Sequence, residues 1–262
     1  MKRLLKVGLS MLLLAMVLIA MSYAALRAKG ISNPSSAAGR AVRSETRPIS
    51  ADINSIDLVL RRGAMPSMKV SGEQRLLSNV ATTADGTTLH IGQKGMLFHH
   101  RQPLQVELVL PSLVRLEVHG NGDSKITGFS GDSFILELTG SGDVSFTGRY
   151  KQVQATVNGS GDLDINGGNS DSVVLEMVGS GRIAASGNTK FLRADLSGSG
   201  DIDAEHLATD KASVSLQGSG QSTVFVRDAA NLTLRGSGDI HVHGNPRQRD
   251  AQKSGSGDII WH

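Results

Sequence analysis

Between Gly120 and Asp258 the tetrapeptide Gly-Ser-Gly-Asp, or a close variant of it, returns eight times. Its first glycine stands at Gly120, Gly140, Gly159, Gly179, Gly198, Gly218, Gly236 and Gly255, a spacing of 18 to 20 residues. A fixed period of this length is the mark of stacked supersecondary units, each too small to bury its own apolar face. The repeat therefore constrains architecture more than any other feature of the chain.

The residues between the glycines say what each unit is. Apolar side chains fall two, four and six places before the first glycine: Val118, Leu116 and Val114 in the first copy, Leu138, Leu136 and Phe134 in the second, Met177, Leu175 and Val173 in the fourth. Period two is the signature of a β-strand with one buried face. Alternation resumes after the Asp, as in Val144 and Phe146, Leu163 and Ile165, or Ile240 and Val242. Each coil then reads as strand, glycine corner, strand and a second turn, the last often marked by Gly128, Gly148, Gly167 or Gly187. Ordering the backbone costs ~1–2 kcal/mol per residue, which a handful of buried side chains at ~1.5–3 kcal/mol each does not offset within one coil. Stacking at ~4.8 Å between paired strands supplies the missing contacts, in columns such as Val118, Leu138, Val157, Met177, Leu196, Leu216 and Leu234. The expected fold is all-β: a single-domain parallel β-helix, or β-solenoid, of about eight Gly-Ser-Gly-Asp coils. Two glycines per corner follow from the close approach of successive coils, where a side chain would meet its counterpart above. The Asp that follows is expected to accept nearby backbone N–H groups in an Asx-type turn.

The ends bound the compartment. Lys2, Arg3 and Lys6 precede an uncharged apolar run from Val7 to Leu26, with Ser22-Tyr23-Ala24 as a small-residue cleavage site. This is the layout of a helical signal peptide over residues 1–24, and the small residues favour cleavage over retention as an uncleaved anchor. A linker over 25–44 then leads to a domain over 45–262, divided into irregular N-terminal strands (45–111) and repeat coils (112–262). The 262 residues include no cysteine, so the exported domain relies on burial and backbone pairing without disulfides, and a lipid-modified cysteine is ruled out. Net charge is +3, yet the leader alone carries three basic and no acidic residues. Residues 25–111 hold 11 basic and 6 acidic groups and residues 112–262 hold 13 and 18, so the exported part is polarised end to end. Neither half shows clustered Lys and Arg interleaved with aromatics, which argues against nucleic acid as a partner.

The corner in Gly140-Ser141-Gly142-Asp143-Val144 and its copies follows the segment Leu110-Pro111-Ser112-Leu113-Val114-Arg115-Leu116. Together they resemble the family described as putative auto-transporter adhesin, head GIN domain, over about Ser44 to His262. Segments 56–60, 68–72, 88–91 and 104–108 fit that family's N-terminal strands. The resemblance implies a β-helical fold in an exported bacterial protein, adhesion as the suggested role, and no catalytic residues. Because the sequence ends at His262, with no C-terminal translocator barrel, the expected location is the periplasm or cell envelope rather than a self-displayed fibre.

Chemistry on the repeat is sparse. Asp123, Asp143, Asp162, Asp201, Asp239 and Asp258 form a ladder along one edge, interrupted by Arg182 and Gln221. They are weak calcium candidates by analogy with glycine-rich β-rolls, but those rolls repeat about every nine residues, and a turn role is the favoured reading. Arg182, between Asp162 and Asp201, is expected to supply a cation to the ladder. His241 and His243 point outward from one strand and would hold a metal only with a third ligand; His99-His100 is a second histidine pair. Gly131-Asp132-Ser133 reads as a turn rather than a hydrolase block, and no nucleophile, base and orienting group can be placed together from spacing. No cofactor is expected. The chain is read as a non-enzymatic envelope scaffold, rigid and adhesin-like, whose polar faces meet an envelope protein or a surface glycan, with the membrane touched only through an uncleaved leader. The alternatives are a polysaccharide-active β-helix enzyme, whose cousins use aromatic clefts that a chain with 3% aromatics lacks, and an envelope-stress accessory protein. The polar last coil, with Lys253 and Ala251 at otherwise apolar positions, reads as an end cap closed by Ile259 and Trp261.

Overall fold

A computed structural model describes residues 50–54, 56–71, 80–85, 88–93 and 104–262. The leader, the linker and the pair His99-His100 lie outside them. Six short strands open the domain: β1 (Ser50–Asn54), β2 (Asp57–Arg62), β3 (Ser67–Ser71), β4 (Val80–Asp85), β5 (Thr88–Gln93) and β6 (Gln105–Leu110). The repeat contributes β7 (Arg115–Gly120), β8 (Ser124–Gly140), β9 (Val144–Gly159), β10 (Asp162–Gly179), β11 (Arg182–Gly198), β12 (Asp201–Gly218) and β13 (Gln221–Gly236). It closes with β14 (Asp239–His243), β15 (Gln248–Gly255) and β16 (Ile259–Trp261). Among the described residues there is no helix.

The repeat strands pair in parallel, each with the coil before and after it, as a β-solenoid requires. Register is kept through the whole stack: Gly120 faces Gly140, Gly159, Gly179, Gly198, Gly218, Gly236 and Gly255 in turn. The column predicted from period two is present, with Val118, Leu138, Val157, Met177, Leu196, Leu216 and Leu234 in line and all buried. One inward residue differs. Leu113 is buried and Val114 is not, because 111–114 connects β6 to β7 and lies outside the alternation of either strand. Leu113 O there accepts the hydroxyl of buried Tyr150, whose pKa burial raises. Tyr150 stacks with Phe134, which in turn stacks on Phe146 at 4.5 Å between centroids.

The second turn is a bend inside a continuous strand, not a break. β8 to β13 run 16 to 18 residues each, and register slips there by bulges, as between Ala184 and Gly187. Gly131-Asp132-Ser133 lies within β8 for the same reason. Beside this bend the charges alternate in sign from coil to coil. Lys151 meets Asp132 at 2.7 Å, Lys190 meets Asp171 at 2.7 Å and Arg227 meets Asp210 at 3.3 Å. Hydrogen bonding to Asp132 holds Lys151 above the ordinary lysine value, and hydrogen bonding to Lys190 holds Asp171 below the ordinary carboxylate value. A slip of one whole coil would bring like charges together, so this ridge favours one register over its neighbours.

The N-terminal strands extend the solenoid out of chain order. β1 pairs with β7 and β2 with β8, while β5 and β6 pair with the other edges of β1 and β2. The first winding in sequence is thus second in the stack. Antiparallel β3 on β6 and β4 on β5 finish that end. They cover edges that would otherwise be open to strand addition. At the other end every residue of β15 is exposed, and Ile259 and Trp261 of β16 pack against the core with Arg249 4.7 Å over the indole. A polar last rung closed by Ile259 and Trp261 matches the reading of the sequence.

Two serines interrupt the apolar columns. Ser222 is fully buried between Ile202 and Ile240, and its hydroxyl has no hydrogen-bond partner; Ser124 sits likewise between Leu58 and Val144. An unpaired buried hydroxyl costs ~1–3 kcal/mol. Ser222→Val is therefore expected to stabilise the protein by about 1 kcal/mol, read as a higher urea midpoint at unchanged slope. A lower midpoint would show that the hydroxyl is satisfied or that the column has no room for the methyls.

Candidate binding surface

The glycine corners place the Asp ladder on one ridge. Asp143 N–H donates to Asp123 Oδ1 at 3.0 Å, Asp162 N–H to Asp143 at 3.4 Å, and Arg182 N–H to Asp162 at 3.0 Å. Gln221 N–H donates to Asp201 at 3.2 Å and Asp258 N–H to Asp239 at 2.8 Å. Each carboxylate thus binds the backbone one coil away rather than turning back on its own corner, which corrects the Asx-turn expectation. The carboxylates thereby give corner N–H groups a partner across the coils, and the Gln221 N–H is shared between Asp201 and Gly200 O, at 3.2 Å to each. Asp57 adds a rung below Asp123, at 3.0 Å from its N–H; no glycine pair precedes Asp57 to flag it in the sequence. The Arg182 guanidinium goes not to the ladder but to Asp203, at 2.5 Å. Asp258 also takes the Lys253 ammonium at 2.8 Å. Among the described residues no three His, Asp or Glu side chains converge as a metal-binding group.

Next to the ridge, outward residues of the following strand stand in register: Asp164 beside Ala184, and Ala184 beside Asp203. Ala184 is small where its neighbours carry carboxylates, and the dip becomes a shallow groove of about 260 Å³. Phe146, Ile165 and Ala185 form its floor, and Asn166, Ser186 and His206 reach its margin. A second depression of about 330 Å³ adjoins it through Ser145 and Asp164, lined by Asp123, Lys125, Asp143 and Asp162. Asp203 is engaged by Arg182 and by the Glu205 N–H at 3.3 Å. The Asp164 carboxylate makes no hydrogen bond or ion pair with the described residues, and the residue is solvent-exposed. The sequence reading missed this groove, because a gap made by Ala184 between Asp164, 20 residues before it, and Asp203, 19 residues after it, is visible only once the register is known.

The fold and this surface define a parallel β-solenoid repeat protein with a polar, acid-lined outer face. Matches over residues 53–171 and 149–246 show that the chain belongs to the family described as putative auto-transporter adhesin, head GIN domain. Among solved structures, a putative adhesin from Parabacteroides merdae has 17% identity and a TM-score of 0.76, covering 82% of this chain and 92% of that one. A putative lipid binding protein from Parabacteroides distasonis has 22% identity and a TM-score of 0.73, over 81% and 91% of the two chains. A putative adhesin from Bacteroides fragilis has 19% identity and a TM-score of 0.63, over 82% and 92%. At these identities the likeness is one of fold. No curated protein matches this chain. The family and these structures are described by adhesion or lipid binding, not by catalysis.

Proposed function

We propose that the chain is a non-enzymatic, exported protein of the bacterial envelope, a rigid scaffold that binds a surface glycan along the groove at Ala184. The observation that carries this reading is Asp164: a carboxylate with no internal partner, facing a groove that Asn166, Ser186 and His206 also line and whose second carboxylate, Asp203, is held by Arg182. Sugar hydroxyls are donors that such a carboxylate accepts, and hydrogen bonds to charged groups are worth ~1.5–3 kcal/mol each. The adhesin description of the family agrees with this role. Burial favours a glycan over an enclosed lipid, since the columns fill the interior from Leu60 to Val242, leaving a lipid the outer surface only.

One arrangement favours an enzyme: Asp164 and Asp203 flank the groove two coils apart, roughly 9.6 Å at ~4.8 Å per coil. That is near the ~6.5–9.5 Å separation of inverting glycosidases. Asp203, however, is held by Arg182, and the groove is open to water. The test is binding of the purified protein to an array of bacterial surface polysaccharides, with reducing-end release assayed in parallel. Asp164→Ala and Ala184→Arg are each expected to weaken binding ~10-fold or more. Equal binding by both variants would defeat the assignment, and sugar release abolished by Asp164→Ala would make the protein an enzyme instead.

A further inference from the structure

Three imidazoles meet at the C-terminal end of the stack. Ile240 and Val242 are buried in β14, so His241 and His243 project from its outer side. β16 runs in register beside β14, Trp261 against Val242, and the N–H of His262 donates to Val242 O at 2.9 Å. The backbone thereby sets His262 beside His243. Their rings stack 4.5 Å apart with 8° between planes, and the His241 ring lies 5.4 Å from that of His262. Nδ1 of His241 is 3.1 Å from Nε2 of His262. Glu205, from a bulged part of β12, brings Oε1 within 4.0 Å of His243 Nε2.

We propose that His241, His243 and His262 form a transition-metal site of the zinc class, with Glu205 as the neighbouring carboxylate. Two histidines alternating on one strand and a third on the next strand put three nitrogen donors on one face. The 3.1 Å between His241 Nδ1 and His262 Nε2 is close to the edge, about 3.4 Å, of a tetrahedron whose metal–nitrogen bonds are ~2.0–2.1 Å. The two rings are hydrogen-bonded through these nitrogens, and a metal ion held by both would take the place of that hydrogen bond, each neutral imidazole carrying its proton on its other ring nitrogen. As the rings now stand, they stack rather than converge on one centre. His243 is 30% exposed, so its ring has space to turn from Glu205 toward the other two. A metal bound there would clamp β16 to β14 and hold Trp261 on the end of the core.

The experiment is zinc chloride titration of untagged protein by calorimetry near neutral pH, paired with thermal melting. One zinc per chain at micromolar affinity is expected, with a higher melting temperature. Single His241→Ala, His243→Ala and His262→Ala variants are expected to weaken binding ~10-fold or more, and the triple variant to abolish both the heat and the shift. Circular dichroism of each variant without metal should match the parent. No saturable binding by the parent, or undiminished binding by the triple variant, overturns the site. If His243→Ala binds as tightly as the parent, the three-ligand assignment fails.

Discussion

Gly198→Ala and Gly200→Ala are each expected to lower the melting temperature by roughly 10 °C or more, a loss of about 3–5 kcal/mol. The adjacent Ser199→Ala should change it by no more than about one degree. At Gly198 two penalties coincide. Its φ is +130°, outside the range that side chains tolerate, and an added Cβ would lie 2.2 Å from Gly179 O. That oxygen cannot swing aside, because it accepts the N–H groups of Ser199 at 2.9 Å and Gly200 at 3.0 Å. Gly200 isolates the second effect. Its φ is not in the positive range, yet its Cβ would stand 2.4 Å from Gly181 O, which accepts the Asp201 N–H at 3.0 Å. Relief would require the coils to part, and the corner hydrogen bonds would go with them. Ser199, by contrast, is exposed and has only a 3.1 Å hydroxyl contact to Ser219. Thermal melts followed by far-ultraviolet circular dichroism separate the outcomes. If Gly200→Ala melted with Ser199→Ala, backbone contact would not be what sets the coil spacing.

The same contact explains why so much of the fold could be read from the sequence. A corner that admits no Cβ must be glycine in every coil, so the stacking distance is written into the chain as a period. The core columns follow from period two within each unit, and the register aligns them as anticipated. What was missed depends on neighbours one coil away. The Asp carboxylates resemble local turn residues until the register shows the N–H above them. The alternation of Asp132, Lys151, Asp171, Lys190 and Asp210 was visible at the repeat spacing, with Arg227 following after 17 residues, but only pairing makes it a ridge. Val114 fits the inward pattern by counting, yet the connection from β6 buries Leu113 instead. The order of the N-terminal windings left no trace in local sequence, since β1 and β2 carry no glycine corner and chain order differs from stack order. The groove and the histidine cluster are legible only as sums over neighbouring coils: an alanine between two aspartates, and a third histidine brought beside a pair.

Leu175→Ala is expected to cost about 4 kcal/mol, near the upper end of the ~2–5 kcal/mol range for leucine truncation in cores. Its column explains the size. Leu136, Ala155, Leu175 and Ala194 alternate large and small in register, and all are fully buried. Leu175 thus fills the space that two alanines leave on either side. Truncation would line up three alanines in a row, and coils fixed by their corners cannot collapse to close the void. Because each coil is stabilised mainly by its neighbours, a defect in the middle weakens the segments on both sides. The same truncation at the end of the stack should be mild: Ile259→Ala removes a half-buried residue with one paired strand, at about 1 kcal/mol. Restoring volume from the neighbouring rung gives a sharper check. Leu175→Ala with Ala194→Leu shifts the large residue by one coil, and volume-conserving exchanges in cores usually cost less than about 1.5 kcal/mol. Urea unfolding of the single, double and terminal variants would display this order. A double variant no more stable than Leu175→Ala alone would mean that the column does not pack as alternating layers.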